Sequence, residues 1–176
     1  IVSNLAGTLG SAILTFVIGL IILKHSDSAF YFGLSQAVGP VVSLLLLPFT
    51  GGLVDKYNKQ GIIVWAQGLS ILALGLFAGF IATTHLTSNL LMVFLLLIAL
   101  KISDQFLSTA SIAAATNLVV EEHVHKLRSI EQTIGALSQF IAPIAGVALY
   151  AMLPLEYLVG LEIVLEALVI IITLTL

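Results

Sequence analysis

Lys101, Asp104, Gln105 and Ser108 could do chemistry together in this sequence. At helical spacing they share one face, and a lysine and an aspartate three residues apart can pair. They lie inside a long apolar run, where each charge at bilayer depth costs roughly 2.5–3.5 kcal/mol. Two readings stand: an intrahelical ion pair that locks a bundle, or a substrate or proton site. A second constellation is Glu162 and Glu166, one helical turn apart in another apolar run. Two neighbouring carboxylates in a low-dielectric medium repel one another when both are charged. Glu166, the deeper of the two, is therefore a candidate proton carrier. The alternative is that Glu162 reaches toward an interface while Glu166 makes a helix–helix hydrogen bond. A third is the stripe Asn4, Thr8, Ser11 and Thr15, spaced for interhelical hydrogen bonds or for lining a cavity.

Other chemistries are excluded. The chain has no cysteine, so disulfides, thiolate metal sites and cysteine nucleophiles are absent. The pair His123 and His125 is two residues apart in a polar break, and no His-Glu-x-x-His pattern occurs. No metal site and no catalytic residues are expected. The net charge of −3 comes without a basic run, which points away from nucleic acid.

The elements that must position these groups follow from composition. Of 176 residues, 60% are hydrophobic and 9% charged, and the mean hydropathy is +1.19. Soluble domains carry about 25% charged residues, so this chain is expected to meet lipid. A spanning helix needs roughly 20 mainly apolar residues. Spans are expected near 1–23, 30–53, 62–84, 90–118, 130–153 and 157–176, separated by short polar breaks. The first is too long for a signal-peptide core. The chain opens and closes within apolar runs, and is expected to be a piece of a longer protein.

Lys56, Lys59, Lys126 and Arg128 fall in the second and fourth breaks, against Lys24 alone in the first, third and fifth. By the bias of basic residues toward the cytoplasm, both chain ends are expected inside. The fifth span carries Gly135, Ser138, Ala142, Pro143 and Gly146, small residues that permit close helix contact and a proline that bends the helix. Gln132 and Gln139 lie on the same general side. Within the second break, Gly51 and Gly52 allow close backbone approach, Asp55 is placed to cap the next helix, and Lys56 and Lys59 anchor the loop.

That break reads GGLVDKYNKQ, Gly51 to Gln60. It resembles the loop signature of the major facilitator superfamily: Gly51, Leu53, Asp55, Lys56 and Lys59 match, while Val54, Asn58 and Gln60 depart from it. Ser138, Ala142, Pro143, Gly146 and Val147 stand where exporters of this superfamily carry a glycine- and proline-rich fifth-helix pattern. The run SNLAGTLGSAILTF, the approach Pro48-Phe49-Thr50-Gly51 and the segment from Glu121 to Arg128 are similar to the bacterial branch containing macrolide-efflux and enterobactin-exporter-like proteins. Lys101 stands near the fourth-helix arginine of proton-coupled drug exporters, but Asp104 and Gln105 do not fit the rest of that motif.

The resemblance implies an all-α bundle of six spans, with 3+3 inverted repeats, forming the first half of a twelve-helix transporter in a bacterial cell membrane. It implies alternating access around a midplane site. The first, second, fourth and fifth spans would face the cavity or the partner half, making Asn4, Thr8, Ser11, Gln36, Lys101, Asp104, Gln105 and Gln139 lining candidates. The third and sixth would lie outside, which leaves Glu162 and Glu166 without an account. Gly51, Gly52, Leu53, Asp55, Lys56 and Lys59 would gate. The expected activity is proton-driven efflux of hydrophobic or amphipathic small molecules, with no cofactor beyond the proton gradient. An importer, or a non-transporting regulatory or assembly protein, is the alternative. The expected partners are the bilayer, a small-molecule substrate and a second six-helix half.

Overall fold

A computed structural model describes the backbone of residues 2–83, 89–118 and 121–175; side chains are described except at 1–6, 82–88, 115–125, 127, 128, 131 and 176. Six helices follow one another: α1 Val2–Ser26, α2 Ala29–Lys56, α3 Lys59–Thr83, α4 Leu90–Leu118, α5 Glu121–Met152 and α6 Leu155–Thr175. All six contain stretches long and apolar enough to cross a membrane. In hydrocarbon a backbone must satisfy its own polar groups, and a helix does so within one segment.

The helix ends show how each run stops. At the end of α1, Ser26 Oγ donates to the Ile22 carbonyl at 2.7 Å and His25 Nδ1 lies 2.9 Å from the Ile21 carbonyl. Asp27 then takes the left-handed conformation, φ 48°, which a short polar side chain tolerates better than most. Pro40 and Pro48 lie inside α2 and Pro143 inside α5, each removing a backbone donor. Pro154 makes the corner into α6, where the Tyr157 N–H reaches its carbonyl at 3.1 Å.

Two boundaries differ from the sequence expectation. The break expected at Glu121–Ser129 is helical and opens α5, about ten residues before the apolar span at Gln132. Good helix formers there let the helix continue past the apolar stretch. The loop expected from Asp55 to Gln60 shrinks to Tyr57 and Asn58, because α2 runs to Lys56 and α3 begins at Lys59. Hydropathy marks where lipid ends, and a helix need not end there.

α1 is the most buried helix. Its Leu14, Val17, Ile18, Ile21 and Ile22 form one apolar core with Leu74 and Phe77 of α3, Val93, Leu96, Leu97 and Leu100 of α4, and Leu155, Leu158 and Val159 of α6. A smaller cluster, Val54, Ile63, Ala66, Leu107 and Ala110, joins α2, α3 and α4 at the other end. The strongest pairings are α3 with α4, α2 with α4, α1 with α5 and α3 with α6. Exchanging the first three helices for the last three maps α1–α5 onto α4–α2 and α3–α6 onto itself, the pattern of a threefold-helix repeat. α2 and α5 keep wide apolar faces uncovered, including Leu44, Leu45 and Phe49 on one and Phe140 and Ile144 on the other.

Candidate functional site

The packing of α1 against α4 brings Ser11 to Asp104, 93 positions apart in the chain. Ser11 Oγ donates to Asp104 Oδ2 at 2.6 Å. Lys101 Nζ donates to the same oxygen at 2.9 Å and to Ser11 Oγ at 3.3 Å. The i, i+3 pair read from the sequence is thus part of a three-residue knot between two helices. Its side chains are 17% and 30% exposed at Lys101 and Asp104, so the knot borders open space. The lysine stem runs along α2 at Gly39, where an added Cβ would sit 3.5 Å from Lys101 Cδ.

Behind the knot lie the two glutamates. Both are buried, each 2% exposed. α6 is turned so that its apolar residues Leu161, Val164, Leu168 and Ile171 face outward and the acids face the bundle. α6 carries two carboxyls in an apolar run because they point inward, away from lipid. Glu162 occupies the notch left by Gly10 on α1, where an added Cβ would overlap Glu162 Oε2. It interacts electrostatically with Glu166, Asp104 and Lys101. Glu166 lies beside Gln67 and Ser70 of α3 and also interacts with Asp104. Three carboxyl groups and one ammonium therefore converge where α1, α3, α4 and α6 meet.

Sequence reading missed Gln67, Ser70, Gly10 and Gly39. The polar pair Gln67 and Ser70 carries the same i, i+3 signal within an apolar span that marked the other helices. The two glycines gave no signal, since their role depends on what packs over them. Ser103, also missed, is buried and donates to the Ala66 carbonyl, tying α4 to α3.

The remaining candidates are dispersed. Thr8 is exposed and Gln105 half-buried. Gln36 is half-buried and fills a notch at Gly19, where a Cβ would meet its Nε2 at 2.5 Å. Gln139 is exposed on α5, away from the knot. The side chains of Asn4, His123 and His125 lie outside the described residues. On α5, Ser138 and Ala142 are buried, and Gly146 meets α1 so closely that a Cβ would lie 2.9 Å from Phe16 Cδ1. Ser138 and Ala142 lie two turns and one turn before Gly146 on the same buried side of α5, which seats on α1, while Pro143 is half-buried.

The segment from Gly51 to Lys59 is corrected in detail. Gly51, Gly52, Leu53, Asp55 and Lys56 belong to the last turns of α2, and space beside both glycines is open. Asp55 does not cap α3; Asn58 Oδ1 accepts from the Gln60 N–H at 3.1 Å instead. The helix extension moved Asp55 out of reach of the next helix start. It stays exposed at the bundle's end, next to Lys56, whose Nζ stands 5.9 Å from the Tyr57 ring centroid. Among the described residues no group of three or more His, Asp or Glu could hold a metal ion.

The sequence pattern of the family described as Major Facilitator Superfamily matches residues 1–176. The chain belongs to that superfamily. Its six helices are one half of the twelve-helix major facilitator fold. The chain is 26% identical over 153 residues to Macrolide efflux protein A of Streptococcus pyogenes, covering 87% of this chain and 37% of that protein. The protein of the same name from S. pyogenes serotype M6 matches over the same share. The chain thus spans little more than a third of these curated relatives. No solved structure matches.

Proposed function

We propose that this chain is the first half of a proton-driven exporter of hydrophobic or amphipathic small molecules, working by alternating access. The observation that carries the reading is the Ser11–Lys101–Asp104 knot: a partly exposed ion pair inside a lipid-spanning bundle, tying α4 to α1. Charges at that depth are expensive and mark transport pathways. Similarity to macrolide efflux proteins favours export and suggests a macrolide as the first substrate to try.

In this reading Asp104 exchanges a proton with the cavity. Charged, it holds Lys101 and Ser11 together and ties α4 to α1. Protonated, it loses most of its attraction for Lys101, and the α1–α4 contact loosens. A contact present in one state alone shifts the balance between inward- and outward-open forms. Asp55 and Lys56, exposed at the end of α2, meet the second half in one of those forms. A proton entering across 100 mV and one pH unit releases about 3.7 kcal/mol, enough for a roughly 500-fold gradient of a neutral substrate exchanged one for one.

The test is transport by the full-length protein in proteoliposomes under an imposed pH gradient. Macrolide flux should follow the gradient, and Asp104→Asn should lower it by about tenfold or more. Flux indifferent to the gradient, with Asp104→Asn and Glu166→Gln both silent, sinks the mechanism.

A further inference from the structure

At the end of the bundle away from the α2–α3 turn, the apolar spans of α1 and α5 stop at Ser26 and Met152, and that of α6 begins at Leu155. A surface-open groove of about 710 Å³ lies there, within the roughly 300–1,000 Å³ of small-molecule sites. Ile21, Val147, Met152, Leu153 and Pro154 give it apolar walls, while Lys24, His25 and Tyr150 supply its polar groups. No carboxylate lines it. Lys24 Nζ stands 5.7 Å from the Tyr150 ring centroid, where the ring face attracts a cation. The one ion pair among the described residues is Lys101–Asp104, so no carboxylate matches the charge of Lys24. Asp27 and Glu156 belong to the same end of the bundle, but neither borders the groove or pairs with Lys24. His25 Nδ1 is committed to the Ile21 carbonyl at 2.9 Å, which leaves Nε2 of the neutral ring as an acceptor.

We propose that this groove holds one anionic phospholipid of the phosphatidylglycerol type, its phosphate on Lys24 and an acyl chain along the apolar walls. Depth and chemistry choose the occupant together. Where three spans end, hydrocarbon gives way to headgroups, and a lysine near a helix end reaches for that boundary. An unmatched ammonium beside an apolar trough fits a phosphate joined to hydrocarbon. A free phosphate would leave the trough wet, and a neutral lipid would leave the charge unmet. A zwitterionic headgroup brings an ammonium of its own, for which the groove has no acid. The glycerol headgroup instead brings hydroxyls, which His25 Nε2 can accept. Such a lipid would lie across α1 and the α5–α6 corner, outside the α1–α5 seam at Gly146. The site is independent of the Lys101–Asp104 knot and of the exporter reading.

The experiment titrates the purified full-length protein, in detergent, with phosphatidylglycerol and counts bound lipid by native mass spectrometry. One lipid retained in preference to phosphatidylcholine is expected. Lys24→Gln should weaken it about fivefold. Val147→Trp, which fills the groove and keeps the charge, should weaken it as much or more. Lys126→Gln, an exposed change near the start of α5 at the other end of the bundle, should leave it intact. Elution profile and thermal unfolding establish that each variant is folded; if Val147→Trp is not, Met152→Trp at an 80% exposed position carries the test. Equal retention of phosphatidylglycerol and phosphatidylcholine overturns the proposal. So does binding lowered by Lys24→Gln but untouched by both tryptophans, which gives a lysine attracting lipid without a groove. Inorganic phosphate competing the lipid away at equal concentration also overturns it and leaves a simple anion site. No transport is measured, so failure here leaves the exporter reading standing.

Discussion

Asp104 accepts two hydrogen bonds on a single oxygen, one from its own helix and one from α1. Losing it leaves Lys101 half-sheltered without a counter-charge, which is worse than losing both partners. Asp104→Leu should lower stability by about 1–3 kcal/mol, and adding Lys101→Met should recover much of that loss. Thermal unfolding in detergent checks it; a double variant less stable than the single one contradicts the pairing. Glycines offer a second contrast. Gly10→Ala drives a methyl into the Glu162 carboxyl and should cost about 1–3 kcal/mol, whereas nothing lies within 4 Å of a Cβ at Gly33, so Gly33→Ala should stay within about 0.5 kcal/mol. Equal effects at the two positions would remove the assigned role of Gly10. The lysine–aspartate pair was legible from its spacing. The role of Gly10 was not, because a missing side chain acquires meaning from its neighbour.

Among the elements, α5 shows how packing and polarity divide. Ser138, Ala142 and Gly146 form its seam with α1, while Gln132 and Gln139 are exposed. The small residues were readable as a close-packing stripe, but the glutamines grouped with them turned out to be exposed. Gly146→Leu should part the helices at Phe16 and cost about 1–3 kcal/mol or more, seen as a lowered unfolding temperature; an unchanged temperature would mean α5 does not seat on α1 there. The end of α2 makes the opposite case. Asp55 is exposed, so Asp55→Asn should leave stability within about 0.5 kcal/mol while slowing transport by the full-length protein. A matching loss of stability would make Asp55 a structural residue.

On the scale of the molecule, orientation is the testable matter. By the bias of basic residues toward the cytoplasm, Lys56, Lys59, Lys126 and Arg128 predict a cytoplasmic α2–α3 turn. A chain with no cysteine takes single reporters cleanly. Tyr57→Cys should react with an impermeant thiol reagent from the cytoplasmic face alone, and Ala29→Cys from the opposite face. The reverse pattern would invert the topology and with it the direction assigned to the proton. α2 and α5 leave apolar faces uncovered within this chain.

What composition and local pattern determined was the environment and the number of crossings, because membrane insertion depends on sums over contiguous residues. The ion pair at Lys101 and Asp104 was legible for the same reason: its partners are one turn apart. The bundle decided what lies between helices. Whether Glu162 and Glu166 face lipid or protein depends on the rotation of α6 about its own axis, and that rotation is set by Gly10, Leu155, Leu158 and Val159 fitting against neighbours. Gln67 meets Glu166, and Ser11 meets Asp104, across separations that no helical period encodes. Packing alone brings them together.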